Sequence, residues 1–418
     1  MATAELDVYL LKHHVGTLKK SAGKLSFRYL PEYVNQSNVP PLSATLPCQQ
    51  QDFDHTATEP FFSGLLPDSP VRDKLARMLN ISAGNTFALL EAIGGECAGA
   101  VSLHKKGASP QAYNESTYRV LTTKEAVDVF SHLSARPLLA GQDGIRISGA
   151  GAQDKLMISF VKGHIAIPTG NTPSTHIIKP AIKEVAESVH NEFFCMTLAK
   201  EVGLPTAQAD IYSLAGTPYY LTKRYDRLTP EKGGTTRLHQ EDFCQAMGIP
   251  PDQKYQKEGG PSLKDCFNLL DGFIHKGHMP GVSKLTLLRG VLFNHLIGNG
   301  DAHGKNFSLL YKDEGAFLAP FYDLLCTVVY SNLYKDKMAM KIGAKYRFRD
   351  IQLRHFEALA VEIGIKPSFL EKELKQLARI LPEKAEALAQ KLQQHESYKA
   401  AIYKDILGII WHHCHHFR

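Results

Sequence analysis

The chain has 418 residues, 44% of them hydrophobic and 22% charged, with a formal net charge of +6. That length exceeds one small core and suffices for two or three packed units, each able to bury apolar surface. No run of eighteen apolar residues offers a membrane span, so no membrane partner is expected, and the mild positive balance is too weak to single out nucleotide or nucleic acid.

The opening MATAELDVYLLKHHVG lacks the basic start, long apolar run and small-residue cleavage site of a secretory signal, so a cytoplasmic protein is expected. Seven scattered cysteines (Cys48, Cys97, Cys195, Cys244, Cys266, Cys326 and Cys414) form no CxxC pair, which points to reduced thiols.

Alternating apolar residues in LDVYLL and KLSFRYL, with HHVG and SAG as turns, predict a small antiparallel sheet at the start. The segment SPVRDKLARML predicts a helix with Ser69 as N-cap, Pro70 at its first position and Val71, Leu75 and Leu79 on its apolar face. From Gly141 onward IRIS, LMISF, IAIP and THIIK read as strands, interrupted by a glycine-rich break and a KGH turn. A helix over residues 185–202 is closed by Gly203 and Pro205. Beyond Asp226 helices dominate, with hairpin-like stretches around residues 306–318 and 337–348, and the segment from LRHFEALAVEIGI to KAEALAQKLQQ is amphipathic helix throughout. No internal repeat or low-complexity linker is present, which predicts lobes packed together.

The glycine-rich segment runs Ser148-Gly149-Ala150-Gly151-Ala152-Gln153-Asp154-Lys155. A Rossmann site is excluded, because the third glycine and the following helix are missing. Its small residues would let backbone N–H groups approach phosphate oxygens, with Lys155 adding charge, although taken alone it reads more simply as a tight hairpin. Lys179 ends THIIK on the face of Ile177, toward the place such phosphates would occupy; in isolation it is a solvated strand-end lysine. Glu192 falls among Val189 and Met196 in a helix's apolar stripe, where a carboxylate needs a partner. Lys179 would complete the strand-lysine to helix-glutamate pair of protein kinases; the rival reading is a glutamate snorkelling at the stripe's edge.

The strongest signal is Gly298-Asn299-Gly300-Asp301-Ala302-His303-Gly304-Lys305-Asn306. Asp301 and Asn306 stand at the D-x-x-x-x-N spacing in which the aspartate takes the substrate hydroxyl's proton and the asparagine carbonyl binds Mg²⁺. Phe321-Tyr322-Asp323 then offers a second carboxylate where kinases keep their main Mg²⁺ ligand. Singly, each aspartate is as readily a turn or cap residue. The ordered set of glycine loop, lysine, helical glutamate, D-x4-N and aspartate predicts an ATP-dependent phosphotransfer site. His303 and Lys305 are candidate phosphate contacts that loop packing would explain equally well. The tail WHHCHHFR has a metal-compatible composition but reads as a frayed end, since no second ligand cluster exists. Lys335, Lys337, Lys341, Lys345, Arg347 and Arg349 alternate along an expected strand, either as a solvated face or as phosphate contacts to nucleic acid.

On these residues the sequence resembles the HipA-type serine/threonine kinase toxins of toxin–antitoxin systems. FFSGLLPDSPVRDKL, RISGAGAQDK, STHIIKP, ESVHNEFFCMTLAKEVGL, KRYDR, RLHQEDFCQAMG, KYQKEGGPSL, LIGNGDAHGKNFSLL and LAPFYDLL carry the resemblance over nearly the whole chain. It implies an α+β, two-lobed, protein-kinase-like fold: an extra N-terminal α/β subdomain over residues 1–105, a small β-rich N-lobe over 106–225 and a helical C-lobe over 226–418. It further implies ATP and Mg²⁺ as cofactors. Ala150, Gly151, Ala152, Gln153, Asp154 and Lys155 would cradle phosphate, and Lys179 would contact ATP. Lys223, Arg224 and Tyr225 would form the adenine hinge. Asp301 would be the base, Asn306 and Asp323 the metal ligands, and Ser148 a site of inhibitory autophosphorylation.

The hinge lacks the acidic first residue of the family pattern, so adenine contacts there are expected from backbone groups. The implied partners are a protein substrate such as an aminoacyl-tRNA synthetase and a helix-turn-helix antitoxin. The basic stretch after Lys335 departs from the family pattern, so DNA is expected only through the antitoxin complex. Two rival readings stand beside this one: a kinase-shaped co-repressor module, and phosphorylation of a small molecule or lipid by the same machinery.

Overall fold

The computed structural model describes residues 3–36, 39–108, 117–142, 144–230, 234–330, 332–333 and 336–418. They form two compact units, one of Met1–Pro180, Lys223–Asp252 and Leu310–Lys312, the other of Ala181–Thr222, Gln253–Leu309 and Asp313–Arg418. Among the described residues no helix is long and apolar enough to cross a membrane. All seven cysteines are free thiols, six of them buried.

The first unit opens with β1 (Ala4–Leu10), β2 (His13–Ser21) and β3 (Lys24–Tyr29), which with β4 (Val101–Lys105) form an antiparallel sheet ordered β3-β2-β1-β4. Pairing of Leu6 with Leu18 and of Leu18 with Phe27 gathers these side chains, with Val8, on one fully buried face. The expected HHVG turn is instead the first half of β2; the chain reverses at Leu11, whose φ is 56°. Gly16 is there for packing, since a Cβ would come within 2.6 Å of the Phe27 ring.

The helix His55–Gly64 covers this sheet, capped by Asp54 on the Ala57 N–H (3.0 Å) and packing Phe62 on Phe27 with ring centroids 5.7 Å apart. The helix Val71–Met78 follows with Pro70, not Ser69, at the cap position and no side-chain cap. Its Val71 and Leu75 are buried as expected, while Leu79 is half-buried.

A second antiparallel set in this unit is ordered β5-β7-β6-β8, comprising β5 (Thr117–Val120), β6 (Leu156–Val161), β7 (His164–Thr169) and β8 (His176–Lys179). Lys162 and Gly163, both at positive φ, make the expected KGH reversal. IRIS is not a strand. Its Ile147 makes one isolated bridge to Glu96, and the Ser148 N–H donates to the Glu96 carbonyl at 2.8 Å.

The second unit is mainly helical: Ser188–Glu201, Leu263–His275, Val282–Leu296, Leu353–Glu362, Pro367–Gln393 and Ile402–His415, with an antiparallel hairpin of Ala209–Leu214 and Thr217–Lys223. The helix expected from residue 185 begins at Ser188 and is closed by Gly203 at φ 84°. Strands Ser308–Lys312 and Gly315–Leu318 fall where a hairpin is expected.

The stretch around 337–348 holds no strand, and Lys335 lies outside the described residues. It is a turn closed by an Ile342–Lys345 bridge, with Met338, Ala339, Met340 and Ile342 packed inward and Gly343 tight against the His355 backbone. Nor is the tail frayed. His413, Cys414 and Phe417 are buried, and His413 Nδ1 donates to the His295 carbonyl at 3.1 Å. Among the described residues no group of three or more His, Cys, Asp or Glu side chains could hold a metal ion, the tail included.

Candidate active site

In the second unit the D-x4-N loop leaves the helix Val282–Leu296 through Gly298, whose φ is 74°. Asn294, in the last turn of that helix, donates from Nδ2 to the Gly290 carbonyl (2.9 Å), and its Oδ1 accepts from Asn299 Nδ2 (2.7 Å). Asn299 Oδ1 accepts in turn from the Asp301 N–H at 3.1 Å. Thr327 Oγ1 accepts from the Gly300 N–H (2.7 Å) and donates to the Gly298 carbonyl (3.2 Å). At Gly300 a Cβ would lie 2.5 Å from the Lys337 carbonyl oxygen, so only glycine fits. The backbone of Asp301 is thereby fixed by neutral donors and acceptors before any ligand arrives.

Beyond it the chain turns tightly, with the His303 N–H on the Asp301 carbonyl (2.8 Å) and the Asn306 N–H on the His303 carbonyl (2.9 Å). Asn306 Nδ2 donates to the Asp301 carbonyl at 3.0 Å, which turns its own side-chain oxygen away from that carbonyl. His303, Lys305 and Asn306 are all buried, and the Lys305 carbonyl accepts from Tyr322 Oη at 2.7 Å. The Asp301 carboxylate itself accepts a hydrogen bond from Tyr255 Oη.

Asp323 follows a parallel bridge between Thr206 and Phe321. The Phe321 ring packs so closely on Gly290 that a Cβ there would come within 2.2 Å of it. The loops of Asp301 and Asp323 are therefore anchored on the same helix, one through Asn294 and the other through Gly290. Asp323 has φ 58°, a left-handed conformation that aspartate tolerates better than most residues and that recurs at functional sites.

Glu192 is buried, as its place in the apolar stripe predicts, and is hydrogen-bonded to the Tyr220 hydroxyl. Burial drives the Tyr220 phenol well above its ordinary value, and the carboxylates of Glu192 and Asp323 add to the effect.

In the first unit the glycine loop is held at both ends. The Asp68 N–H donates to the Gly151 carbonyl (3.1 Å), Gln153 Nε2 donates to the Pro180 carbonyl (3.2 Å) and Lys74 pairs with Asp154 at 3.6 Å. Lys155 Nζ donates to the Ala150 carbonyl. Gly151 has φ 104°, and a Cβ there would meet Lys155 Nζ at 2.7 Å. The β6–β8 register pairs Leu156 with Ile178, so Lys155 and the buried Lys179 stand one step further on, at the same end of the two strands. Ser148 is fully buried and donates to the Leu65 carbonyl at 2.6 Å.

Of the expected hinge, Lys223 is exposed, and the Arg224 N–H donates to the Thr175 carbonyl at 3.0 Å. Tyr225 is half-buried and donates to the Gln240 side chain. The Arg224 guanidinium is committed elsewhere, to Glu96 (3.1 Å) and Asp226 (2.8 Å), a buried cluster that Arg227 completes with 3.1 Å and 3.0 Å contacts to the same two carboxylates.

The structure therefore gathers Asp301, His303, Lys305 and Asn306 in one loop of the second unit, with Asp323 and Glu192 in that unit too. Ala150 to Lys155, Lys179 and the hinge residues 223–225 belong to the first. Sequence reasoning missed Tyr255, Asn294, Asn299, Thr327, Tyr220 and Glu96. Of these, Tyr255 and Asn299 carried a signal, through their places in KYQKEGGPSL and LIGNGDAHGKNFSLL.

The HipA N-terminal domain matches residues 6–104, and the HipA-like C-terminal domain matches residues 147–392. A putative kinase of Sinorhizobium fredii is 40% identical over 89% of this chain and 87% of its own length. The serine/threonine-protein kinase toxin HipA of Shewanella oneidensis is 32% identical over 92% of this chain and 89% of its own. A solved structure of HipA from Shewanella oneidensis, in complex with HipB and operator DNA, superposes with a TM-score of 0.83 at 28% identity, covering 98% of this chain and 96% of that one. The fold is α+β and kinase-like, and the chain is a protein kinase. Within that class the chain belongs to the HipA family.

Proposed function

We propose that this kinase transfers the γ-phosphate of ATP to a serine or threonine hydroxyl of a protein, as the toxin of a toxin–antitoxin pair acting in the cytoplasm. The observation that carries the reading is the preorganised loop: Asn299 and Thr327 fix the backbone of Asp301, and Asn306 donates to its carbonyl. A base held this way loses little entropy on reaching the transition state. Asp301 would accept the proton of the attacking hydroxyl. Two carboxylate or amide oxygens, from Asp323 and Asn306, suit Mg²⁺, a hard cation that takes oxygen ligands and keeps several waters. That metal would neutralise charge on the transferring phosphates.

Ala150 to Lys155 and Lys179 would hold the phosphates, with His303 and Lys305 as further contacts and the backbone of residues 223–225 taking the adenine. Glu192 would orient Lys179. The functional division would follow residues 1–105, 106–225 and 226–418. The solved HipA–HipB–operator DNA complex supports an antitoxin as partner. That antitoxin would be a helix-turn-helix protein, and DNA would be met through it. The substrate class favoured is a translation protein such as an aminoacyl-tRNA synthetase.

Ser148 would be the autophosphorylation site. Its hydroxyl is enclosed, so phosphorylation there requires the loop to come away, and the added charge would keep it from returning to a phosphate-binding form. The test is ATP-dependent label at Ser148 in purified protein. Wild type should incorporate phosphate, and Asp301→Asn should lower the rate on the order of 10²–10⁴-fold. No label in wild type, or undiminished label in Asp301→Asn, would favour the kinase-shaped co-repressor.

A further inference from the structure

Tyr255 lies 46 residues before Asp301, in a segment with no regular secondary structure apart from two 3₁₀ turns, Pro251–Gln253 and Gln256–Glu258, yet its hydroxyl reaches the Asp301 carboxylate. The segment is built to hold it. The Tyr255 carbonyl accepts from the N–H groups of Glu258 (2.8 Å) and Gly260 (2.9 Å), closing a tight loop. Gly260 fits only as glycine, since a Cβ would sit 2.2 Å from the Gln253 carbonyl oxygen. Gln256 ties the loop to the 337–348 turn through its N–H on the Ala339 carbonyl (3.3 Å) and its Oε1 on the Lys341 N–H (2.7 Å). On the other side the Gly304 N–H donates to the Lys254 carbonyl (3.3 Å), and the Tyr255 ring meets His303 edge-on with centroids 5.1 Å apart.

The ring is thus braced from both directions, with its hydroxyl on Asp301 Oδ1. A carboxylate on a single Cβ–Cγ bond rotates broadly, because that torsion has no sharp staggered wells. A fixed donor on one oxygen removes that freedom and sets the plane in which the other oxygen meets a substrate hydroxyl.

We propose that Tyr255 is a positioning residue for phosphotransfer, orienting the Asp301 carboxylate toward the acceptor hydroxyl. This rests on the kinase reading above. Tyr255 touches neither nucleotide phosphate nor metal in this scheme, so its loss should appear in kcat and not in nucleotide binding.

The test compares wild type, Tyr255→Phe, Asp301→Asn and the double variant in the full chain. Phosphate transfer, KM for ATP, affinity for a non-hydrolysable ATP analogue and thermal midpoint are measured for each. Tyr255→Phe should lower kcat about tenfold, with KM for ATP and analogue affinity within twofold of wild type. In the Asp301→Asn background the same change should cost nothing further, because the carboxylate it orients is gone. An active wild type with an equally active Tyr255→Phe overturns this inference and leaves the kinase reading intact. So does an effect that is additive with Asp301→Asn, or one that tracks weakened analogue binding or a lowered midpoint, since those mark a structural role. Should Tyr255→Phe not fold, Tyr255→Leu, which also removes the donor, is read by the same criteria. A wild type that transfers no phosphate overturns both readings.

Discussion

Two buried carboxylates of the first unit, Glu96 and Glu241, are equally hidden from water and are shifted in opposite directions. Glu96 is met by the guanidinium groups of Arg224 and Arg227 and by the N–H and hydroxyl of Ser174. Burial works against its charge, but Arg224, Arg227 and Arg237 outweigh it and hold the carboxyl below its ordinary value. Glu241 has no cation among its hydrogen-bond partners: Ser43 Oγ (2.6 Å), the Ala44 N–H (2.9 Å) and the Tyr311 hydroxyl. Burial there prevails over those donors, helped by the charge of Asp242, and the carboxyl is pushed up to about 7. Depth alone therefore does not decide ionisation; the charge of the neighbours does. The first site is a fixed brace between distant stretches of chain, and the second is a group that titrates near neutrality.

The contrast can be broken most severely at the arginines. Arg227→Met leaves Glu96 and Asp226 buried with one guanidinium between them, and the unit should lose about 3–5 kcal/mol in urea unfolding. A loss below about 1 kcal/mol would mean that the cluster is not the brace described.

Glu241→Gln should act through pH. The folded carboxyl titrates above its ordinary 4.5, so the stability it contributes is fully present below pH 4.5 and is lost as pH rises through about 7. At about 1.4 kcal/mol per pH unit, this loss is on the order of 3 kcal/mol. Glu241→Gln should remove that rise in stability on acidification between pH 7 and 4.5. Glu96 has the reverse sign: its contribution is present above pH 4.5 and disappears as pH falls through its lowered value.

His239 opposes Glu241 in the same window. Stacked on Tyr311 with centroids 5.3 Å apart, it is lowered by burial to about 4, so its contribution is full above pH 6.5 and fades as pH falls toward 4. The Glu241→Gln profile should accordingly reveal a decline on acidification that wild type masks. The smallest effect is expected from Tyr311→Phe, which removes one of three donors to Glu241. It should cost about 1 kcal/mol and move the Glu241 midpoint further up.

The parts of this molecule that the sequence announced are those whose cause is local. Val71 and Leu75, the β6–β8 strands and the Asp301–Asn306 spacing all express a period or a motif within a few residues. HHVG misled because histidine and glycine look like turn residues, whereas Gly16 is small to admit the Phe27 ring from a neighbouring strand. The 337–348 stretch misled because alternating charge imitates a strand, while its apolar residues Met338, Met340 and Ile342 turn inward without a pairing partner strand. The brace joining Glu96 to Arg224 spans 128 residues, and Tyr255 reaches Asp301 across 46, separations at which no pattern in the chain marks the pairing. Local order found the loop proposed to carry the chemistry; most of the residues that hold it were visible only in three dimensions.

The first unit is assembled from three separate stretches of chain, which bears on how the gene can be dissected. A truncation ending after the matched N-terminal domain at residue 104 would keep Glu96 but discard Arg224 and Arg227. It would also delete Glu241, the acceptor that ties down Ser43. Such a fragment would carry a naked anion at Glu96 and an unsecured loop at Ser43, so an independently stable piece must be engineered with the first neutralised and the second given a new anchor.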